Sequence, residues 1–410
     1  MKLLCLTPRL PFPPDRGDRL RAFNIIRRLG SEHELHLLSF IASDEERRHA
    51  DALAPFCRSV QMVPLGPRRS AATVALNAWR RLPLQALYYR SAAMQRLVDD
   101  TLRRQRFDAA YIHLFRMAPY LSQQSGLYRI VDLTDVISSE LARSMAFRGA
   151  ASRLVYQVER PRIARYEREV AQRYEEVWLV SEHDRQLLAA QCPGANIRVV
   201  SNGVDFEAFY PTGQLAEPNS LLFTGHMRVF HNIDAATFLA QEILPLVRQE
   251  LPDCTLTLAG ADPGPEVRAL ASEPGVTVAG FVPDLNAALN HAAVFVAPLR
   301  FAAGVQNKVL EAMAAGRPVV TTSIVNQGLA AQPGRDLLIA DDAATMASQI
   351  IGLLQNAEER ERTGAAGREF AIRRFSWDVV GERLREIAQT VHPGLPPARS
   401  DEELERRMSR

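Results

Sequence analysis

"APLRFAAGVQNKVLEAMAAGRPVV", residues 297–320, runs from the end of an apolar strand through a glycine-bearing loop into a helical stretch. Gly316 is placed to cap that helix and Pro318 to open the next strand. A loop that feeds a helix N-terminus after a strand offers unpaired backbone N–H groups and the positive end of the helix dipole, which together suit a phosphate. Lys308 falls in the first turn. Of the 49 basic residues only Lys2 and Lys308 are lysines, the rest being arginine. A cation there opposes the dipole unless an anion joins it. Glu311 follows at i, i+3, so the spacing alone also fits an intrahelical ion pair worth about 0.2–0.5 kcal/mol.

Short apolar runs alternate with amphipathic stretches on both sides of this segment. In the first half the predicted strands are 2–8, 34–41, 59–65, 109–114, 128–135, 175–181 and 197–203, with helical spacing at 19–30 and 152–173. A second series spans 221–225, 255–260, 276–280, 294–299, 318–322 and 336–340. Apolar runs without period-two alternation are the mark of parallel strands covered on both faces, and their alternation with helices predicts α/β layers. A chain of 410 residues exceeds one ordinary core. We read domains at 1–203 and 221–374, a linker at 204–220, a last helix at 375–391 and a flexible tail at 392–410.

Composition narrows the function. A net charge of +2 gives no overall polycation, against nucleic acid as partner. Cys5, Cys57, Cys192 and Cys254 show no metal-ligand spacing and read as reduced, buried thiols of a cytoplasmic protein. The opening "MKLLCLTPRLPFPP" is too short and too proline-broken for a signal peptide, and no run of 18 apolar residues predicts a membrane span. Segment 66–106 carries nine arginines against Asp99 and Asp100, interleaved with Trp79, Leu82, Leu84, Leu87, Tyr88 and Tyr89. It fits either a solvated basic face or a peripheral contact with an anionic membrane.

The combination of "NKVLEAMAAGRPVV", "VVSNGVDFEAFYP" (199–211), "FTGHM" (223–227), "VAGFVPDLNAALNHAAVFVAPL" (278–299) and "FSWD" (375–378) resembles the retaining glycosyltransferases of family 4. The opening "LTPRLPFPPDRGDRLRAFNIIRRL", "VDLTDVISSE" and "GVQNKVLEAMA" are similar to a narrower group, the sugar transferases of PEP-CTERM and exosortase exopolysaccharide loci. The resemblance implies the GT-B fold: two Rossmann-like α/β domains facing each other across a cleft, with the C-terminal helix crossing back to the N-terminal domain. It implies a nucleoside-diphosphate sugar as donor substrate, a UDP-sugar above all, a glycan or lipid-linked glycan as acceptor, and neither cofactor nor metal.

Carried onto this chain, Glu311 holds the ribose hydroxyls, a task that suits a carboxylate accepting from a cis-diol. Lys308 and Arg228 are candidates for the diphosphate, with Gly225, Gly304, Val305, Gln306, Asn307 and Phe281 around the donor. Arg228 also reads as a solvated surface residue. The family's first glutamate would stand eight residues before Glu311, where this chain has Ala303, so the amides of Gln306 and Asn307 are the expected substitutes toward the sugar. Gly17 is expected beside the donor phosphate, with Asp18 as the following helix's N-cap. His113, five residues after Asp108, is either a donor-sugar contact or a structural histidine. Asp135 is a candidate to orient the acceptor hydroxyl or to cap the next helix. Two other activities fit the same residues: a GT-B nucleotide-sugar epimerase, and a non-catalytic nucleotide-sugar-binding protein.

Overall fold

The apolar runs become strands because the sheets bury them, the inner strands most completely. In β2 (Glu34–Ile41) every residue after Glu34 is buried, and β11 (Val294–Ala297) is buried throughout. The computed structural model describes residues 1–391, so the tail expected at 392–410 lies outside the described residues. Among the described residues there are two parallel sheets. The first holds β1 (Lys2–Thr7), β2, β3 (Ser59–Pro64), β4 (Ala109–His113), β5 (Tyr128–Thr134), β6 (Glu176–Leu179) and β7 (Ile197–Val199), in the order β3-β2-β1-β4-β5-β6-β7. The second holds β8 (Ser220–Thr224), β9 (Thr255–Ala259), β10 (Val276–Gly280), β11, β12 (Val319–Thr321) and β13 (Leu338–Ile339), in the order β10-β9-β8-β11-β12-β13. Every predicted strand forms, most ending one to four residues early where the chain turns into a loop.

Each order reverses direction once, between β1 and β4 in one sheet and between β8 and β11 in the other. The loops after neighbouring strands part at such a reversal, leaving a crevice at the strands' carboxyl ends. Helices cover the faces by their apolar stripes. Helix Gly17–Glu32 buries Ala22, Ile25, Ile26 and Leu29, a spacing of three and four residues.

By contact the chain divides into Met1–Val200 with the residues from Gly381 onward, and Ser201–Val380. In the first unit the part of helix Trp377–Val391 from Gly381 onward buries Leu384, Ile387 and Ala388, and Arg385 Nε donates to Glu32 Oε1 at 2.9 Å. The stretch 204–219 has no regular structure beyond one bridge, yet it is fastened within the second unit. Val204 N donates to Phe375 O at 2.7 Å, and Tyr210 N and Thr212 N donate to the side-chain oxygens of Asn286 and Asn290 at 3.1 and 2.9 Å.

Candidate functional site

The second unit's reversal point is built from two strand–loop–helix passages. After β8 comes the loop from Gly225 to Val229 and helix Phe230–Phe238; after β11 comes the loop 298–306 and helix Asn307–Ala314. Lys308, on the first turn of the latter helix, donates from Nζ to Asn232 Oδ1 on the former at 2.5 Å. Asn232 is buried and its Nδ2 donates to His226 O at 3.0 Å, which fixes the amide with its oxygen toward the lysine. Gly225 leaves room for this: a Cβ there would lie 2.8 Å from the Asn232 side chain. Nζ also lies 3.5 Å from Gln306 Oε1 and 5.5 Å from the centroid of the Phe223 ring.

No carboxylate comes within ion-pair distance of Lys308 among the described residues. The intrahelical salt bridge that the i, i+3 spacing allowed is therefore not formed. Desolvation pushes the Lys308 ammonium down to about 7, against a smaller pull upward from Glu311. Burial pushes the Glu311 carboxyl up to about 7, with Lys308 opposing. Both side chains are half-buried and keep hydrogen-bonding capacity unspent.

The loop before the helix holds itself together. Gln306 is buried, and its Nε2 donates to Ala303 O at 2.9 Å; Asn307 Oδ1 accepts from Asn202 Nδ2 at 3.0 Å. Of these amides, expected toward a sugar, Gln306 is thus partly committed to the loop and Asn307 to Asn202. Gly304 takes φ +58°, Val305 is buried, and the loop rests on helix Ser323–Leu329 so closely that a Cβ on Gly328 would lie 1.9 Å from Gly304 O. Arg228 is 72% exposed, 3.9 Å from Asp262 Oδ2, and touches neither Lys308 nor Asn232 through any hydrogen bond. Phe281 is 73% exposed just past β10, two strands from β8.

At the first unit's reversal, Gly17 is the first residue of its helix, and Arg16 occupies the N-cap without a side-chain bond. Asp18 is not the cap: Arg9 Nη1 holds its carboxylate at 2.9 Å. Burial would raise the Asp18 carboxyl, but Arg9, His113 and Arg116 together bring it below its usual range. His113 ends β4 and is buried, and its Nε2 has no hydrogen-bond partner among the described residues. Asp135 follows the positive-φ residue Thr134 and is half-buried. Helix Ile137–Ser144 has Val136 at its N-cap and no side-chain capping bond, so Asp135 does not cap it. Desolvation, then repulsion from Asp184 and Glu140, pushes the Asp135 carboxyl well up.

Sequence reasoning missed Asn232 and the polar set beneath His113, namely Arg21, Tyr111 and Asp132. The signal for Asn232 was an amide at a position of "VFHNIDAATF" that the helical period turns inward. Among the described residues no group of three or more His, Cys, Asp or Glu side chains is placed to hold a metal ion.

The fold is that of the GT-B glycosyltransferases. Sucrose-phosphate synthase from Thermosynechococcus elongatus matches with a TM-score of 0.74 at 16% identity, over 96% of this chain and 100% of its own. Anabaena Alr3699/HepE, solved in complex with UDP, matches with a TM-score of 0.65 at 15% identity, over 95% of this chain and 100% of its own. Residues 218–356, which contain the Lys308 site, match the family model described as glycosyl transferases group 1. The phosphatidyl-myo-inositol mannosyltransferase of Mycobacterium leprae (strain TN) is 29% identical over 208 residues, 48% of this chain and 54% of that protein. The chain thus spans about half the length of the curated relatives it matches.

Proposed function

We propose that this protein transfers a sugar from a nucleoside-diphosphate sugar, UDP in particular, to a hydroxyl of a glycan or lipid-linked glycan, with retention of anomeric configuration and without a metal. The observation that carries the reading is Lys308: a half-buried amine with no carboxylate partner among the described residues, fixed by Asn232 at a helix N-terminus and a sheet reversal, inside the segment similar to group 1 glycosyl transferases. A diphosphate supplies the missing anion. In the reaction, Lys308 and the first N–H groups of helix Asn307–Ala314 stabilise charge growing on the leaving phosphate. Glu311 accepts from the ribose hydroxyls, Phe281 offers an exposed ring to the base, and Arg228 reaches the diphosphate by swinging from its exposed position. His113 meets the donor sugar, Gly17 the donor phosphate, and Asp135 the acceptor hydroxyl. The family resemblance suggests front-face attack, with the leaving phosphate itself taking the acceptor proton. The resemblance to PEP-CTERM-associated transferases supports a product in exopolysaccharide or other cell-surface polysaccharide. Calorimetry against UDP-, GDP- and ADP-sugars identifies the donor. One radiolabelled donor then separates transfer from epimerisation and from binding without turnover.

For a lipid-linked acceptor we propose a peripheral membrane contact, and the structure alters which side chains would make it. Leu87 and Tyr89 of the basic segment are core residues, whereas Leu76 and Trp79 are 75% and 77% exposed at the end of helix Pro67–Asn77. Leu84 N donates to Glu159 Oε1 at 2.5 Å, tying this region to helix Ala150–Arg173, where Leu154, Val155 and Val158 are exposed. Between 66 and 98 the chain has no acidic residue. Sedimentation with phosphatidylglycerol vesicles but not with phosphatidylcholine vesicles, lost in Leu76→Ser with Trp79→Ser, is the expected result; equal sedimentation with both would sink the electrostatic part.

A further inference from the structure

Beneath His113 lies a chain of buried polar groups with a forced direction. Arg21 holds Asp132 through two bonds, Nε to Oδ2 at 2.7 Å and Nη2 to Oδ1 at 3.0 Å, and all of these atoms are out of solvent. Asp132 is therefore a carboxylate and can only accept. Tyr111 Oη lies 2.7 Å from Asp132 Oδ2, a separation that two acceptors would not tolerate, so the tyrosine spends its one proton there. Its oxygen is left as an acceptor. His113 Nδ1 stands 3.2 Å from that oxygen and 3.6 Å from Asp132 Oδ2, so both neighbours demand a proton on Nδ1. The tautomer of a histidine is set by the bond its other nitrogen makes, and here the neutral ring carries its proton on Nδ1. Nε2 remains as a bare acceptor, buried and unpartnered among the described residues.

We infer that Tyr111 and Asp132, with Arg21 behind them, are positioning residues that lock His113 in its Nδ1–H tautomer and present Nε2 as an acceptor for a ligand O–H. The O–H comes from a donor-sugar hydroxyl or from an ordered water. That it is the sugar rests on the proposed function; the tautomer does not. A histidine poised as acceptor selects a ligand carrying a hydroxyl at that point.

The test is long-range proton–nitrogen NMR of the full chain labelled with nitrogen-15 histidine, the His113 signal being identified by its loss in His113→Gln. In the ligand-free protein Nδ1 is expected to be protonated and Nε2 bare; a protonated Nε2 on a neutral ring overturns the inference without any need for activity. Tyr111→Phe removes the nearer of the two acceptors and should weaken the lock, raising the Nε2–H population in part while Asp132 Oδ2 still favours Nδ1–H. An unchanged tautomer in that variant removes Tyr111 from the positioning set. Saturating UDP-glucose should shift Nε2 where UDP leaves it unmoved. If neither moves it, ordered water is the partner and the sugar assignment is overturned. If calorimetry shows that neither nucleotide binds, the transferase reading fails while the tautomer result stands.

Discussion

Lys308 and Glu311 make nucleotide binding a proton-linked event. Each is pushed to about 7 by desolvation, the amine downward and the carboxyl upward, so above neutrality the ligand-free pair loses its last proton and carries net negative charge. A diphosphate oxygen about 4 Å from Nζ attracts the ammonium by about 4 kcal/mol at an effective dielectric of 20. That energy amounts to a factor of about 10³ in a protonation equilibrium, which returns Lys308 to the ordinary lysine range. Binding above pH 7 must then take up one proton, and UDP affinity is expected to fall by up to about tenfold per pH unit from about 7 toward 10. Calorimetry at pH 8.5 in two buffers of different ionisation enthalpy measures the uptake directly. We expect a value near one proton in the wild type and near zero in Lys308→Met, with the affinity of that variant lower and flat with pH. Zero uptake in the wild type at that pH would refute the reasoning, since a lysine already charged before binding has no proton to gain.

The same groups shape stability in the ligand-free protein. The lowered Lys308 value means that the unfolded chain binds more protons between about 7 and 10, so stability rises with pH there; the raised Glu311 value means that stability falls from about 4 to 7. A dip near pH 7 in denaturant midpoints, flattened in the Lys308→Met, Glu311→Gln double variant, is the expected signature. Gly225→Ala puts a Cβ against Asn232 and should weaken UDP binding more than tenfold through the displaced Lys308 contact, with little change in a wild-type-like circular dichroism spectrum. Asp132→Ala removes the carboxylate that the buried Arg21 Nε and Nη2 meet and should cost about 3–5 kcal/mol of stability, read from urea midpoints; a loss below about 1 kcal/mol would mean that the pair is not isolated from water.

The strands, their parallel pairing and the existence of two α/β units were legible in the sequence, because a run buried on both faces must be apolar throughout and a crossover helix must show one apolar stripe. The passage 297–320 announced its loop, its helix start and Lys308 for the same local reasons. Locality also set the limit. Asp18 reads as a cap until Arg9, nine residues back across the loop after β1, takes its carboxylate. Lys308 and Glu311 read as an ion pair until the tertiary structure gives the amine to Asn232, 76 residues away, and leaves both groups desolvated and apart. The Arg21–Asp132 pair spans 111 residues and leaves no spacing to find. Periodicity records which face of an element is buried; which polar atom meets which across two elements is decided only when the sheet order brings their ends together, and that order is a property of the folded chain.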